Sequence, residues 1–257
     1  MWDYTLHSTI FNNFAAMIMK KIVLSTLFLF CVSMIHAGLK EDLQLLRTWK
    51  AGSVVSVQSV QKYGIDCCFR TDTINDFIFS RMKGKSFKDD CLIVRSNLRY
   101  LRVLHTDKDG NIHLGEMVCH QSIANDLIEI FRQLYDAHYP IERMVLIDEY
   151  NADDETSMRA NNTSCFNYRH IKGSGKLSKH AQGLAVDINT LYNPCVKRQA
   201  NGKLIVQPST ATKYVNRSAR FPYKIVKGDL LYQLFIQHGF KWGGSWRTLK
   251  DYQHFEK

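Results

Sequence analysis

The stretch Leu177–Asn189, LSKHAQGLAVDIN, places a histidine, a glycine and an aspartate within one short segment. Gly183 would weaken any helix that joined His180 to Asp187. After this glycine, apolar residues at alternate positions from 184 to 188 predict a strand. Asp187 would project from one face of that strand while its apolar neighbours are buried on the other.

A second stretch lies near the C-terminus, with GFKWGGSW at 239–246 and DYQHFE at 251–256. Imidazole and carboxylate groups favour zinc, and a catalytic zinc ion has three protein ligands and one open position. His180, Asp187 and His254 make such a set, in an order that differs from the helical HExxH pattern. Asp251 precedes His254 by three residues, a spacing that predicts neighbouring side chains on a helical turn. A carboxylate beside a zinc ligand is suited to be a general base.

The chain resembles the zinc D-alanyl-D-alanine carboxypeptidase family in two motifs, Ser178-x-His180-x-x-Gly183-x-Ala185-x-Asp187 and Asp251-x-x-His254. This family includes the vancomycin-resistance D,D-peptidases and the phage L-alanyl-D-glutamate endopeptidases. The aromatic and glycine run at 240–246, and an aspartate rather than a glutamate at 251, resemble the endopeptidase branch most. The similarity extends back through Asn167–Arg169 and, more loosely, to Arg81.

The resemblance implies that His180, Asp187 and His254 bind a single zinc ion and that Asp251 is the general base. It also implies an α+β fold in one domain, with a small antiparallel sheet that carries the zinc site and helices packed against it. The activity it implies is hydrolysis of peptidoglycan stem peptides, either at a terminal D-Ala or at an L-Ala-D-Glu-type bond. A non-catalytic cell-wall-binding module with a structural zinc is the alternative.

Three further residues are candidates for contact with the substrate. By resemblance, Arg169 steadies the scissile carbonyl as it becomes an oxyanion, and Ser178 lies near the substrate backbone. Position alone leaves Arg169 equally open to a role in a surface salt bridge. Trp246 either lines the substrate cleft or is a core aromatic residue. Many family members have Trp before the last histidine, where this chain has Gln253, which leaves the shape of the adjoining pocket open.

Residues 1–37 are predicted to be a secretory signal peptide, because Lys20 and Lys21 precede an apolar run that ends in small residues. Met19 is the expected natural start, which makes residues 1–18 an over-extended start. The apolar run is too short to favour a membrane span. Cys31 suggests a lipoprotein, but the bulky Phe30 before it argues against that reading. The protein is therefore expected to be exported, to a periplasm or out of the cell.

Residues 38–80 are expected to be an N-terminal extension, and residues 81–257 the zinc peptidase domain, acting as a monomer. Removing the leader changes the formal net charge from +10 to +9, because it carries Lys20, Lys21 and Asp3. A basic exported protein could meet anionic wall polymer or nucleic acid. No nucleic-acid motif is present and the basic residues are scattered, so a solvated basic surface is favoured and no nucleic-acid partner is expected.

Several elements can be predicted from local patterns. Ser96–His120 is expected to be a hairpin that turns at Asp107–Asn111, where Gly110 stands at the wrong position for a calcium loop. A helix with an apolar stripe should follow, with Ser122 as its N-cap. The other predicted elements are a helix over 39–49, a strand among the valines of 54–60, a buried strand over 144–147 and a helix over 227–238.

Six cysteines remain outside the leader, and an even count in an exported chain favours disulfides. Cys165 and Cys195 flank the central motif and are the first pair expected to be joined. A cysteine-bound zinc lacks the usual CxxC spacing. A cysteine nucleophile is not needed in a site that uses water.

Overall fold

The computed structural model describes residues 19–20, 36–171 and 174–257. In these ranges the helices are α1 (36–48), α2 (Val57–Tyr63), α3 (Asp76–Met82), α4 (Gln121–Asp136), α5 (Asp154–Arg159) and α6 (Leu230–Gln237). The strands are β1 (Val54–Val55), β2 (Arg70–Thr73), β3 (Leu98–Thr106), β4 (Ile112–His120), β5 (Ala185–Asp187), β6 (Cys195–Arg198), β7 (Leu204–Gln207), β8 (Lys241–Trp242), β9 (Leu249–Asp251) and β10 (His254–Glu256). The fold is α+β, as expected, with small antiparallel sheets among helices.

The largest sheet has the order β1-β4-β3-β2 and is built on the predicted hairpin of β3 and β4. The turn between them is closed by Asp107, whose carboxylate accepts from the backbone N–H groups of Asp109 and Asn111 at 2.9 Å. Gly110 has φ +83°, a left-handed conformation that suits glycine. The prediction of a hairpin turn at this position is confirmed.

Helix α4 packs its apolar stripe against this sheet. The predicted stripe residues are all buried, namely Ile123, Leu127, Ile130, Phe131 and Leu134. Burial of each such side chain contributes about 1.5–3 kcal/mol relative to exposure, which makes α4 a principal source of stability. The N-cap is His120, not Ser122 as predicted, because the His120 side chain accepts the Ser122 backbone N–H.

One predicted strand is much shorter than expected, and another is absent. The valine-rich segment forms only the two-residue strand β1, after which Ser56 caps α2 by accepting the Ser59 N–H. Residues 144–147 are buried as predicted, but they run as an irregular segment into the 3-10 turn Ile147–Tyr150. Asn162 replaces a strand partner here, because its side chain bonds to both the N–H and the C=O of Val145.

The predicted helices near the two ends of the described region are present. Residues 36–48 are helical, and α6 lies within the predicted range 227–238. Asp229 caps α6 by accepting from Tyr232, and Gly239 follows it with φ +83°. Leu231, Leu234 and Phe235 are buried as expected, whereas Leu230 is exposed.

Two three-stranded sheets form the C-terminal part of the fold, with the orders β5-β10-β8 and β7-β6-β9. The first joins the central motif to the last strand of the chain. The second uses β6 and β7, for which the sequence predicted no strands. Both are antiparallel, and the chain passes from β9 to β10 through Tyr252 and Gln253.

The expected division between an extension and a peptidase domain near residue 80 stays a prediction. Helix α3 runs across this position, and β1 and β2 belong to the same sheet as β3 and β4. The expected signal peptide falls almost wholly outside the described residues. In the part of the chain that the structure describes, no helix has the length and apolarity needed to cross a membrane.

The six cysteines after the leader are all described, and all six carry free thiols. The expected Cys165–Cys195 disulfide is therefore not formed. Cys165 is buried and donates its thiol to the Gly183 carbonyl, whereas Cys195 lies on β6 beside Asp251. The two thiols thus contact different parts of the C-terminal fold.

Candidate metal centre

Three elements bring the predicted zinc ligands together. His180 opens the 3-10 turn His180–Gln182, which ends at Gly183 with φ +67°. A Cβ on Gly183 would lie 2.7 Å from the His120 backbone nitrogen, so this close approach requires glycine. Asp187 ends β5, and His254 begins β10 directly opposite it in the antiparallel register.

The three side chains converge on one point. His180 Nε2 lies 3.2 Å from His254 Nδ1 and 3.2 Å from an Asp187 carboxylate oxygen, and His254 Nδ1 lies 3.0 Å from the other oxygen. Among the described residues, this trio is the group of metal-ligating side chains close enough to share an ion. Donors 2.0–2.1 Å from a tetrahedral zinc ion would be about 3.3 Å apart. The spacing and the donor types therefore fit zinc.

Each imidazole is held from the side facing away from Asp187. His180 Nδ1 lies 2.7 Å from the Cys165 carbonyl oxygen, and His254 Nε2 lies 3.1 Å from a Glu256 carboxylate oxygen. Such outer partners fix the ring orientation and the tautomer that presents a lone pair to a metal. The sequence interpretation missed Glu256, although its position two residues after His254 places both on one face of a strand.

The electrostatics of the trio reflect mutual stabilisation of opposite charges. Burial raises the pKa of Asp187, but His180 and His254 outweigh it, and the net pKa lies well below its usual range. Burial lowers the pKa of His254, whereas Asp187 and Glu256 raise it, with a net value of about 10. The site thus stabilises positive charge at the point where the ligand atoms meet, as a cation site requires.

Asp251 ends β9, next to the trio. It and His254 lie on two successive strands rather than on the helical turn that their spacing predicted, because both segments pair with other strands. Burial and the Asp187 carboxylate raise the pKa of Asp251 to about 6, against the opposing effect of His254. Its Oδ1 is buried and has no hydrogen-bond partner among the described residues. A basic, unpaired oxygen beside a metal site can accept a proton.

Trp246 lies at the edge of the centre. Its partly exposed ring is 5.3 Å from the His254 ring, measured between centroids. Gln253 is buried and donates to Met158 Sδ, so it packs away from the solvent. The aromatic surface beside the predicted metal ligands therefore comes from Trp246, not from the residue before the last histidine.

Arg169 and Ser178 make local contacts. Arg169 forms an ion pair with Asp154, the first residue of α5, which also accepts from Asn167 at 3.0 Å. The Ser178 hydroxyl is buried and accepts the Ala181 N–H at 3.0 Å, which steadies the turn that presents His180. The neighbouring His170 is exposed.

The comparison with known families gives a match over the C-terminal third of the chain. The family model described as D-alanyl-D-alanine carboxypeptidase matches residues 172–257, which include His180, Asp187, Asp251 and His254. The match confirms the resemblance drawn from the two motifs and supports a peptidase of this type. It begins after Arg169, so it does not test that residue. No solved structure matched the chain.

Proposed function

We propose that the protein is an exported zinc metallopeptidase that hydrolyses peptidoglycan stem peptides. The observation that carries the proposal is the convergence of one oxygen and two nitrogen donors beside the buried Asp251 carboxylate, inside the segment that matches the carboxypeptidase family. A zinc ion held by His180, Asp187 and His254 would supply Lewis-acid chemistry, polarising the scissile carbonyl and lowering the pKa of water.

The residues of the chain perform the proton transfers. Asp251 accepts a proton from the attacking water through its unpaired oxygen and passes it to the leaving amine. The raised pKa of Asp251 makes it a stronger base than an exposed aspartate. Because Gly243 lacks a side chain, the backbone packs directly against Asp251 and His254, which keeps the base and the ligand in a fixed relation.

Three further residues contact the substrate around Asp251 and His254. Trp246 lines the cleft beside His254 and packs against the peptide. Arg169 reaches the developing oxyanion, with Asp154 orienting its guanidinium group. Ser178 lies near the substrate backbone, beside the turn that its hydroxyl steadies through the Ala181 N–H. The substrate is a wall peptide, and the protein acts as a monomer in the periplasm or outside the cell.

Incubating the purified protein with defined muropeptides, followed by mass analysis, tests the activity. Loss of one D-Ala identifies a carboxypeptidase, and cleavage after L-Ala identifies an endopeptidase. Either product should require zinc and disappear with a chelator. If no metal-dependent product forms, the proposal is wrong.

Asp251→Asn should lower kcat about 100-fold or more, because general-base catalysis typically contributes this much. Zinc content should be unchanged, since Asp251 is not one of the three converging ligands. Asp109→Asn, the same substitution in the exposed hairpin turn, is the matched control and should leave both quantities unchanged. A structural zinc in a non-catalytic wall-binding module would instead make Asp251→Asn silent, and chelation would unfold the domain.

A further inference from the structure

Cys195 lies opposite Asp251 in the sheet β7-β6-β9. The two residues are direct partners in the antiparallel register of β6 and β9. Residues opposed in this way have Cβ atoms about 4.5–5.5 Å apart and side chains on one face. The Cys195 thiol and the Asp251 carboxylate are accordingly neighbours on this face of the sheet, and each shifts the pKa of the other.

The other neighbours of the Asp251 carboxylate are charged or ionisable side chains and a glycine backbone. Asp187, His180 and His254 act on it through their charges, and Gly243 offers only backbone. Among the described groups that set its pKa, Cys195 is the neutral hydrogen-bond donor. The Oδ1 atom is left without a donor, which suits an oxygen that must take a proton from water.

We propose that Cys195 is a positioning residue, whose S–H group donates to the Asp251 carboxylate and holds it in the orientation needed for proton transfer. The inference rests on the proposed function and extends it to a residue outside the motifs that carry the resemblance. Cys195 itself forms no bond with the substrate. A thiol is a weak donor, so the hydroxyl of serine can replace it, whereas the methyl group of alanine cannot.

The test uses the full zinc-loaded protein and the muropeptide that it cleaves. Cys195→Ala should lower kcat about tenfold, as expected for the loss of one orienting hydrogen bond, with KM and zinc affinity within about twofold of wild type. Cys195→Ser should restore kcat to within about threefold. The matched control is Cys91→Ala, which removes another partly buried thiol whose donor bond goes to the Ile93 carbonyl, and should change none of these quantities.

Infrared spectroscopy detects the proposed hydrogen bond from Cys195 to Asp251 independently of turnover. The S–H stretching band that disappears in Cys195→Ser should move to higher frequency in Asp251→Asn, because an amide oxygen accepts more weakly than a carboxylate. Three outcomes would overturn the positioning role alone. They are an S–H band that does not move, an unchanged kcat in Cys195→Ala, and equal loss of zinc in the alanine and serine variants. A wild-type protein without metal-dependent turnover overturns the proposed function, and this inference with it.

Discussion

The two imidazoles of the metal centre differ in what holds them. His180 is fixed by a backbone carbonyl, that of Cys165, whereas His254 is fixed by the Glu256 side chain, which is ionisable. Ser164 pairs with Asp187 through both backbone groups, so the strand that supplies the carboxylate is tied to the segment that orients His180. The geometry of each ligand thus depends on bonds formed by its neighbours.

A second pair of histidines, His105 and His113, lies outside the metal centre and predicts how stability changes in acid. His105 is buried, donates from Nδ1 to the Ile141 carbonyl oxygen at 2.7 Å, and stacks on His113. Burial lowers its pKa to about 3, so folding favours the neutral ring. Its contribution to stability is complete above the unfolded pKa of about 6.5 and is lost as the pH falls from there towards 3.

The free energy of unfolding should therefore show this loss in denaturant titrations between pH 7 and pH 4. The difference between wild type and His105→Asn should shrink by up to about 1.4 kcal/mol per pH unit, since asparagine keeps a donor near the Nδ1 position but does not titrate. A difference independent of pH would contradict the assignment of a neutral buried His105.

At the scale of elements, the turn between β8 and β9 needs two glycines for different reasons. A Cβ on Gly243 would lie 2.7 Å from the Asp251 carbonyl oxygen and 2.9 Å from its Cβ. A Cβ on Gly244 would lie 2.3 Å from the Trp242 ring, in the core. Gly175 has open space around its Cβ position and is the matched control.

Gly243→Ala should displace Asp251, the proposed general base, and lower kcat about tenfold or more, because small misplacements of catalytic groups are costly. Gly244→Ala should lower the free energy of unfolding by about 1–3 kcal/mol through overpacking. Gly175→Ala should stay within about 0.5 kcal/mol of wild type. Steady-state kinetics and denaturant melts measure the three variants. Full activity in Gly243→Ala would show that β9 tolerates the shift.

Local patterns were sufficient for some elements and not for others. The hairpin of β3 and β4 and the stripe of α4 follow from turn chemistry and periodicity, which the sequence displays directly. The buried run at 144–147 could not be assigned, because an apolar run has the same composition in a strand and in an irregular buried segment. Cys195 becomes a neighbour of Asp251 only through pairing between distant segments, for which no local pattern exists. Glu256, by contrast, follows from strand alternation once β10 is recognised as a strand.

At the scale of the whole molecule, we expect the core to form without a metal ion. A continuous set of buried side chains links α1, the four-stranded sheet, α4 and α6, and the metal centre lies among the C-terminal strands. Zinc should therefore add to stability without being required for folding, in contrast to small domains that unfold when zinc is removed.

Chelation should lower the melting temperature while leaving a cooperative transition. At free zinc about 100-fold above Kd, the bound ion contributes about 2.7 kcal/mol, or roughly 5–10 °C for a domain of this size. Differential scanning calorimetry with and without chelator measures this shift, and His254→Ala should abolish it. An unfolded protein after chelation would contradict the metal-independent core.

Anomalous diffraction at the zinc absorption edge tests the central claim most directly. Crystals of the zinc-loaded protein should give one anomalous peak, about 2.0–2.2 Å from His180 Nε2, an Asp187 carboxylate oxygen and His254 Nδ1, with Asp251 outside the coordination sphere. A map without a peak at this position, or with Asp251 bound to the ion as a ligand, would contradict the account.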